Sequence, residues 1–212
     1  MRISELARET GVPVATVKYY LREGLVPPGE RHEVNQARYD ERHVRRLRLV
    51  RALIGVAGLS IAQVREVVAA VDDPDLALHD LLGEVQNAVA GSGPTEPDGR
   101  IVSARAEVDA FLAGLGWKLR PDAPTRDRLA TVVTSIRSMT GDEDPLDQLF
   151  GEHAGIASKL ATLEIGWMPG SEAGRDELAE SVVIGVSLFG EAFAALRLLA
   201  EEDASARRYG TG

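Results

Sequence analysis

Cysteine is absent from the 212-residue chain. Without thiols the protein has no disulfides, no zinc-finger or iron–sulfur ligands, no thiolate metal sensor and no cysteine nucleophile. No apolar run approaches the roughly 20 residues needed to span a membrane, and the N-terminal segment lacks the apolar region of a signal peptide. With 44% hydrophobic and 27% charged residues, the chain can build a packed core. We therefore expect a soluble cytoplasmic protein with no membrane partner.

The motifs of common enzyme classes are also missing. The sequence contains no Walker loop, no GxSxG, no HExxH and no dinucleotide-binding fingerprint. Its four histidines are scattered at positions 32, 43, 79 and 153. The acidic cluster 142–144 precedes Pro145, where helix capping accounts for Asp144. The sequence therefore predicts no enzyme, no cofactor and no metal site.

Charge is distributed unevenly along the chain. Residues 1–72 carry 12 Lys and Arg against 9 Asp and Glu, a balance of +3, whereas the remaining 140 carry 12 against 24, a balance of −12, which together give −9. All phenylalanine and tryptophan residues lie between positions 111 and 193. This asymmetry indicates a nucleic-acid-binding module joined to a different kind of domain, although a solvated arginine-rich surface would give the same balance.

The first forty residues read as two short helices followed by a non-helical segment. A helix capped by Ser4 stops at Gly11, and a second helix follows over Val14–Glu23. Two helices joined by a tight glycine-containing turn are a helix-turn-helix. The prolines after Val26 exclude a helix there, so residues 25–39 are predicted to form a small β-hairpin, or wing.

The rest of the chain shows helical periodicity. Asp40 caps a third helix to Ala57, and Ser60 with Gln63 forms a capping box for a fourth over Ile61–Val71. The predicted fold is mostly α: a winged helix-turn-helix domain (1–73), a connecting or dimerisation helix (74–90), a Gly/Pro-rich linker (91–99) and an all-helical effector-binding or dimerisation domain (100–212). Four helices are expected in that last domain, at 100–115, 123–140, 145–166 and 175–203.

Several blocks in the first 72 residues occur in a recognisable order. They are Ile3-Ser4-Glu5-Leu6-Ala7, Gly11-Val12, Lys18-Tyr19-Tyr20, Glu23-Gly24-Leu25-Val26-Pro27, Arg38-Tyr39, Val44-Arg45-Arg46-Leu47, Gly58-Leu59-Ser60 and Val64-Arg65-Glu66-Val67. At these spacings the segment resembles the MerR family of bacterial winged helix-turn-helix transcription regulators. One departure is Asn35-Gln36-Ala37, where the wing of the family often reads Gly-Tyr-Arg.

The resemblance implies a homodimer that binds double-stranded promoter DNA. The second helix would enter the major groove and the wing would contact the backbone, while bending and untwisting of the promoter would reposition its elements for RNA polymerase. An effector at the C-terminal region would control this action. The residues expected to contact DNA are Thr16, Lys18, Tyr19, Arg31, His32, Arg38 and Tyr39. Adjacent Tyr19 and Tyr20 point about 100° apart on a helix, so one should face phosphate and the other should pack inside.

The aromatic residues of the second half allow two interpretations. In one they are core and dimer contacts; in the other, some of them line a pocket for a small apolar or aromatic effector. The candidate effector-binding residues are Phe150, His153, Trp167, Phe189 and Glu191. Glu191 follows an apolar stretch and could face solvent, pair with Arg197 or hold a cationic ligand.

An alternative function remains open on these residues. The chain could be a small-molecule-binding or sequestering helical protein whose DNA-binding role is minor or architectural. The salt dependence of duplex binding separates the two functions, because contacts with phosphate make affinity fall steeply as salt rises.

Overall fold

The computed structural model divides the chain into two compact units, residues 1–89 with 169–212 and residues 90–168. It describes residues 1–33, 36–91, 99–120, 123–141 and 144–209, without the side chains of residues 31–33, 36 and 99–101. Most of the predicted linker 91–99 lies outside the described residues. The predicted domain 100–212 does not hold together as one unit, because its last segment packs with the N-terminal residues.

A helix-turn-helix opens the first unit, as predicted. Helix α1 spans Ile3–Thr10 and helix α2 spans Val14–Arg22. Gly11 ends α1 with φ +67°, a left-handed conformation that favours glycine. The N-cap of α1 is Arg2 and not the predicted Ser4. The backbone N–H of Arg2 donates to the Glu5 carboxylate at 2.6 Å.

The wing is a two-stranded antiparallel hairpin, formed by β1 (Glu30–Glu33) and β2 (Gln36–Arg38). Gly29 precedes it in a crowded position, because a Cβ there would lie 2.8 Å from the Arg38 carbonyl oxygen and 2.9 Å from the Tyr39 ring. Hydrogen bonds to Met1 hold the chain just after β2, at the C-terminal end of the hairpin. The Met1 ammonium donates to the Tyr39 carbonyl at 2.7 Å, and the Tyr39 N–H donates back to Met1 at 2.9 Å.

Two further helices complete the packing beneath the wing. Helix α3 spans Glu41–Gly55 with Asp40 as its N-cap, and helix α4 spans Ile61–Asp72 with Ser60 and Gln63 as its capping box. Both caps were predicted, and both are confirmed. Their apolar faces meet α1 and α2 in one core; its fully buried members include Leu6, Val17, Leu25, Val44, Leu47, Val50, Leu53 and Val64.

Helix α5 begins later than its sequence suggested. It spans Leu78–Ala90, whereas a start at Pro74 was expected. Asp73 instead closes a turn, because its carboxylate accepts from the Asp75 N–H at 2.9 Å. The buried side chains of Leu81 and Val85 attach α5 to the core of the first unit.

The C-terminal helices return to that same core. Helix α9 spans Arg175–Ile184, a π-helical turn follows over Gly185–Phe189, and helix α10 spans Gly190–Tyr209. Ala179 and Val183 are fully buried in the core of the first unit. α9 is therefore part of the structure that supports the helix-turn-helix.

Two consecutive residues attach α9 by polar contacts. The Arg175 guanidinium donates to the carbonyls of Ala70, Val71 and Leu76 at 2.9–3.1 Å, which caps the C-terminal end of α4. Asp176 accepts from the buried Arg46 of α3 at 2.5 Å. Together these contacts fix α9 on both α3 and α4.

From Leu188 to Tyr209 the C-terminal helix is exposed, and it includes part of a long apolar stretch. The continuous segment Arg175–Tyr209 has a stretch of mean hydropathy 1.9, and it is long and apolar enough to cross a membrane by length and composition alone. By this measure the expectation that no segment could span a membrane is wrong. Its first turns nevertheless pack against protein, as the burial of Ala179 and Val183 shows.

The second unit contains three helices in its described residues. They are α6 (Gly99–Gly114), α7 (Thr125–Thr140) and α8 (Leu146–Gly166), close to the predicted bounds. Val108, Val133 and Leu146 lie in their shared core. Ion pairs also join α6 to α7, with Arg137 donating twice to the Glu107 carboxylate at 2.9 and 3.0 Å.

Candidate nucleic-acid interface

The exposed face of α2 is basic and phenolic. Ala15, Lys18, Tyr19 and Arg22 follow the i, i+3, i+4, i+7 spacing and therefore lie within an arc of about 100°. Three of them are exposed or partly so, and Tyr19 is half-buried. No carboxylate shares this arc, and in the described part of the chain no ion pair involves Lys18 or Arg22. The face thus offers two cations and a hydroxyl to an anionic partner.

The two adjacent tyrosines of α2 have different surroundings. Tyr20 is 9% exposed and belongs to the core, whereas Tyr19 keeps part of its ring at the surface. Their ring centroids are 5.9 Å apart with planes tilted by 51°. Burial raises the pKa of the Tyr20 hydroxyl. Of the two, Tyr20 therefore packs inside and Tyr19 keeps part of its side chain at the surface; contact of Tyr19 with DNA stays a prediction.

Thr16 lies about 60° outside this arc on α2 and is half-buried. Ala15, at the centre of the face, has only a methyl group, so the α2 backbone can approach a bound surface closely. Arg22 was missed by the sequence analysis. Its spacing of four residues from Lys18 was the signal that could have found it, because it places both cations on one side of the helix.

The wing presents part of the set that was predicted for it. Arg38 is exposed at the end of β2. Arg31 and His32 lie in β1, and their side chains are outside the described residues. The wing and α2 belong to the same unit, which brings Arg38 and Lys18 into one module.

Tyr39 corrects one of the predicted contacts. Its side chain is 7% exposed and packs edge-to-face against His43, with ring centroids 5.1 Å apart. Burial raises the pKa of its hydroxyl. Because the side chain lies inside the core, Tyr39 supports the wing instead of contacting DNA through its ring.

Several arginines counted in the basic balance of residues 1–72 have structural partners. Arg46 is 5% exposed and paired with Asp72 and Asp176. Arg51 donates to the Thr10 carbonyl at 3.1 Å, which caps α1 beside the turn. The positive balance of the N-terminal segment therefore overstates the charge available to a ligand, and position on α2 or the wing is the better criterion.

The five predicted effector-binding residues are divided between the two units. Phe150 and His153 are neighbours on α8, with ring centroids 6.0 Å apart, while Trp167 is 67% exposed at the end of that helix. Phe189 and Glu191 belong to the other unit and are exposed. Whether any of the five residues binds an effector therefore stays a prediction.

This chain is similar in sequence to known bacterial transcription regulators. Residues 1–71 match the family model described as MerR HTH family regulatory protein. The chain is 40% identical over 156 residues to the HTH-type transcriptional regulator ZntR homolog of Haemophilus influenzae, covering 74% of this chain and 96% of that protein. It is also 30% identical over 134 residues to the heavy metal-dependent transcription regulator 2 of Rhizobium meliloti, covering 61% and 86% of the two chains.

A solved structure extends the likeness to the whole chain. The crystal structure of SCO5550, a candidate transcriptional regulator from Streptomyces coelicolor A3(2), matches with a TM-score of 0.76 at 38% identity, covering 100% of this chain and 99% of that one. The fold and the exposed face of α2 define a DNA-binding helix-turn-helix transcription regulator of bacterial type. The chain belongs to the MerR family.

Proposed function

We propose that the protein is a MerR-type homodimer that binds promoter DNA through α2 and the wing. Binding distorts the promoter for RNA polymerase, and a small organic effector controls it from the helices beyond α5. The observation that carries the proposal is the carboxylate-free face of α2 with Lys18, Tyr19 and Arg22. As a DNA-binding regulator, the protein acts in the cytoplasm of a bacterium, without catalysing a reaction.

The dimensions and chemistry of this face suit the major groove. The groove is about 12 Å wide and admits one α-helix. Lys18 and Arg22 supply cations for phosphates, and the Tyr19 hydroxyl supplies a hydrogen-bond donor that positions α2 without selecting a base. Thr16, which lies beside the face on α2, is the candidate for a base-edge or phosphate contact. By resemblance to the family, Arg31, His32 and Arg38 contact the backbone beside the groove.

Homodimerisation is supported by an exposed apolar face that runs from the end of the π-helical turn along α10. On a regular helix its members fall within an arc of about 160°; they are Leu188, Phe189, Ala192, Phe193, Ala195, Leu196, Leu199 and Ala200. A water-exposed apolar stripe of this length is typical of a helix that packs against a partner. We propose that the partner is the same stripe of a second copy.

The stripe is symmetric about its own midpoint. Leu188 and Ala200, Phe189 and Leu199, and Ala192 and Leu196 are each equidistant from Ala194. Two copies packed antiparallel, with the two-fold axis crossing the helix at the level of position 194, would therefore place apolar side chains opposite each other along the whole stripe, while Ala194 itself points to the far side of the helix. The same arrangement would bring the acidic residues Glu201–Asp203 of one copy level with residues 185–187 of the other, beside Ile184 and Leu188, which line a cavity together with Arg48 and Arg51.

The effector is proposed to be organic. Relatives are named for heavy metals and for mercuric resistance, and thiolates are the ligands that select soft metals. This chain has no cysteine, and its described residues contain no group of three His, Asp or Glu suited to a metal ion. An apolar or aromatic molecule therefore fits the residues of this protein better than a soft metal.

Salt-dependent duplex binding tests the DNA-binding face. The affinity of the full chain for a mixed-sequence duplex is measured between about 50 and 200 mM salt. Lys18→Ala should make the slope of log affinity against log salt shallower by about 0.9 for each phosphate that is no longer neutralised, or about twice that in a dimer. Lys118→Ala, at an exposed lysine of the other unit, is the matched control and should leave the slope unchanged.

Two outcomes would contradict the proposed function. One is an unchanged slope in Lys18→Ala, and the other is no duplex binding at low salt. A salt-independent association would favour the alternative in which the helical region binds a small molecule and DNA contact is minor.

A further inference from the structure

A cavity of about 500 Å³ lies within the second unit, between the C-terminal half of α6 and the first turn of α8. Glu107, Phe111, Gly114 and Leu115 line it from α6 and its end, and Leu146 and Asp147 line it from α8. None of the five predicted effector-binding residues is among its described lining residues. Its volume falls in the range of about 300–1,000 Å³ that small-molecule sites occupy.

The floor of the cavity is apolar and belongs to the core of the unit. Phe111 and Leu115 pack against the core cluster that contains Leu146. Gly114 leaves open space, since a Cβ built there meets no atom within 4 Å. The floor can therefore accept an aromatic ring or a branched alkyl group without displacing a side chain.

Two carboxylates, and no basic side chain, stand among the described residues that line this cavity. Arg137 donates to Glu107 at 2.9 and 3.0 Å and holds the pKa of that carboxyl below its usual range. Because Arg137 neutralises Glu107 locally, Asp147 is the lining carboxylate that has no ion-pair partner in the part of the chain that the structure describes. Residues 90–168 as a whole carry 12 Asp and Glu against 8 Lys and Arg, a balance of −4, which attracts cations over a longer range.

We infer that this cavity binds a small organic monocation with an apolar body, such as an aryl-alkyl ammonium. The body would lie on Phe111, Leu115 and Leu146, and the ammonium would face Asp147. An anion of the same shape is disfavoured by Asp147, and a neutral analogue would keep only the apolar contacts. The inference rests on the proposed function, because it assigns a binding site and a positive charge to the organic effector proposed there.

Three probes of one shape test the charge preference. They are 3-phenylpropylammonium, 3-phenylpropanol and 3-phenylpropionate, titrated into the full-length chain at neutral pH and followed by NMR chemical shifts. We expect the ammonium to bind about tenfold more tightly than the alcohol and the carboxylate to bind most weakly. Asp147→Asn should weaken the ammonium about fivefold, the size of an exposed ion pair, and leave the alcohol unchanged.

Two further variants locate the site. Gly114→Leu places a side chain in the open space and should weaken the ammonium and the alcohol alike by more than tenfold. Glu152→Gln removes an exposed carboxylate of α8 that does not line the cavity and should change neither. Thermal unfolding of each variant checks that the unit is still folded, and the Asp147→Asn comparison stands without Gly114→Leu.

The inference is overturned if the three probes bind equally, or if Gly114→Leu binds the ammonium as the unchanged chain does. These titrations contain no DNA. A failure to bind duplex in the salt experiment therefore contradicts the proposed function alone, and a failure in these titrations contradicts the cavity alone.

Discussion

Asp176 contacts Arg46 across 130 positions of the chain, with its carboxylate oxygen 2.5 Å from the Arg46 Nε. The arginine side chain is 6% exposed, and Asp72 at the end of α4 accepts from the same guanidinium. α3, α4 and α9 therefore meet at one buried cation. A buried ion pair of this kind is costly to break from one side, because the remaining charge is left without its partner.

Removing the carboxylate of Asp176 should destabilise the first unit. Asp176→Asn is expected to lower the free energy of unfolding by about 2 kcal/mol, less than a fully orphaned charge because Asp72 still pairs with Arg46. Urea unfolding measures the change. Glu23→Gln breaks the more exposed pair between Glu23 and Arg65, 3.0 Å apart, and should cost less than about 1 kcal/mol. Equal losses in the two variants would contradict the importance of the buried contact.

The N-cap of α3 should make stability depend on pH. Hydrogen bonding from Arg42, with a further contribution from His43, holds the pKa of the Asp40 carboxyl well below its usual range. A lowered folded-state pKa gives stability that is present above the unfolded value of about 4 and is lost as pH falls below it. Asp40→Asn keeps the capping geometry but removes the charge, so it should cost up to about 1 kcal/mol at pH 7 and progressively less below about pH 4.

The control for this pH profile is a cap without a titrating group. Ser60→Ala removes the N-cap of α4 and should cost about 1 kcal/mol, with no change in that cost between about pH 7 and pH 3. An Asp40→Asn penalty that stays constant over the same range would show that the charge of Asp40 does not contribute to folding.

The three N-terminal tyrosines should separate in duplex binding. Tyr19→Phe is expected to weaken binding about three- to tenfold, the range of one hydrogen bond. Tyr20→Phe and Tyr39→Phe alter side chains that are buried and should leave affinity unchanged once the fraction of folded protein is accounted for. Gel mobility shifts at fixed salt provide the measurement. A weakening in Tyr39→Phe equal to that in Tyr19→Phe would restore Tyr39 as a DNA contact.

The absence of cysteine gives a clean test of the proposed dimer. Ala192→Cys and Leu196→Cys are made in separate chains, mixed and oxidised. In the antiparallel pairing centred on Ala194, position 192 of one copy lies opposite position 196 of the other, so the mixed disulfide should form faster than either self-link. Fastest self-linking would indicate a parallel pair. If no cross-link forms and sedimentation shows a monomer, the proposal that the apolar stripe packs against a second copy is contradicted.

Local signals made the N-terminal module predictable. The caps at Asp40 and Ser60, and the stop at Gly11, each depend on residues within three or four positions. The same reach explains the error at α5, where Asp73 can cap either a helix or a turn and the sequence does not distinguish them. Burial of Tyr39 depends on His43 of α3, and neither residue's surroundings follow from periodicity.

The return of the C-terminal helix was out of reach for a different reason. Its contacts, Asp176 with Arg46 and Arg175 with the end of α4, join residues about a hundred positions apart, and nothing in the spacing of charges marks them as partners. The cavity between α6 and α8 was not predicted either, because the residues that line it are also far apart in the sequence. Glu107 and Asp147 lie on separate helices, and aromatic content directed attention to Phe150 and Trp167 instead.

The burial of Ala179 and Val183 in the first unit has a practical consequence for dissecting this protein. A chain cut after Val89 would keep every residue of the helix-turn-helix. It would lack the buried side chains of Ala179 and Val183, and it would lack Arg175, which caps the C-terminal end of α4. Such a fragment would expose the apolar core surface that Ala179 and Val183 cover, and we expect it to self-associate. Residues 90–168, in contrast, are a compact unit inserted between the two segments that make up the first unit, so we expect their deletion to disturb the core beneath the helix-turn-helix less than removal of α9 does.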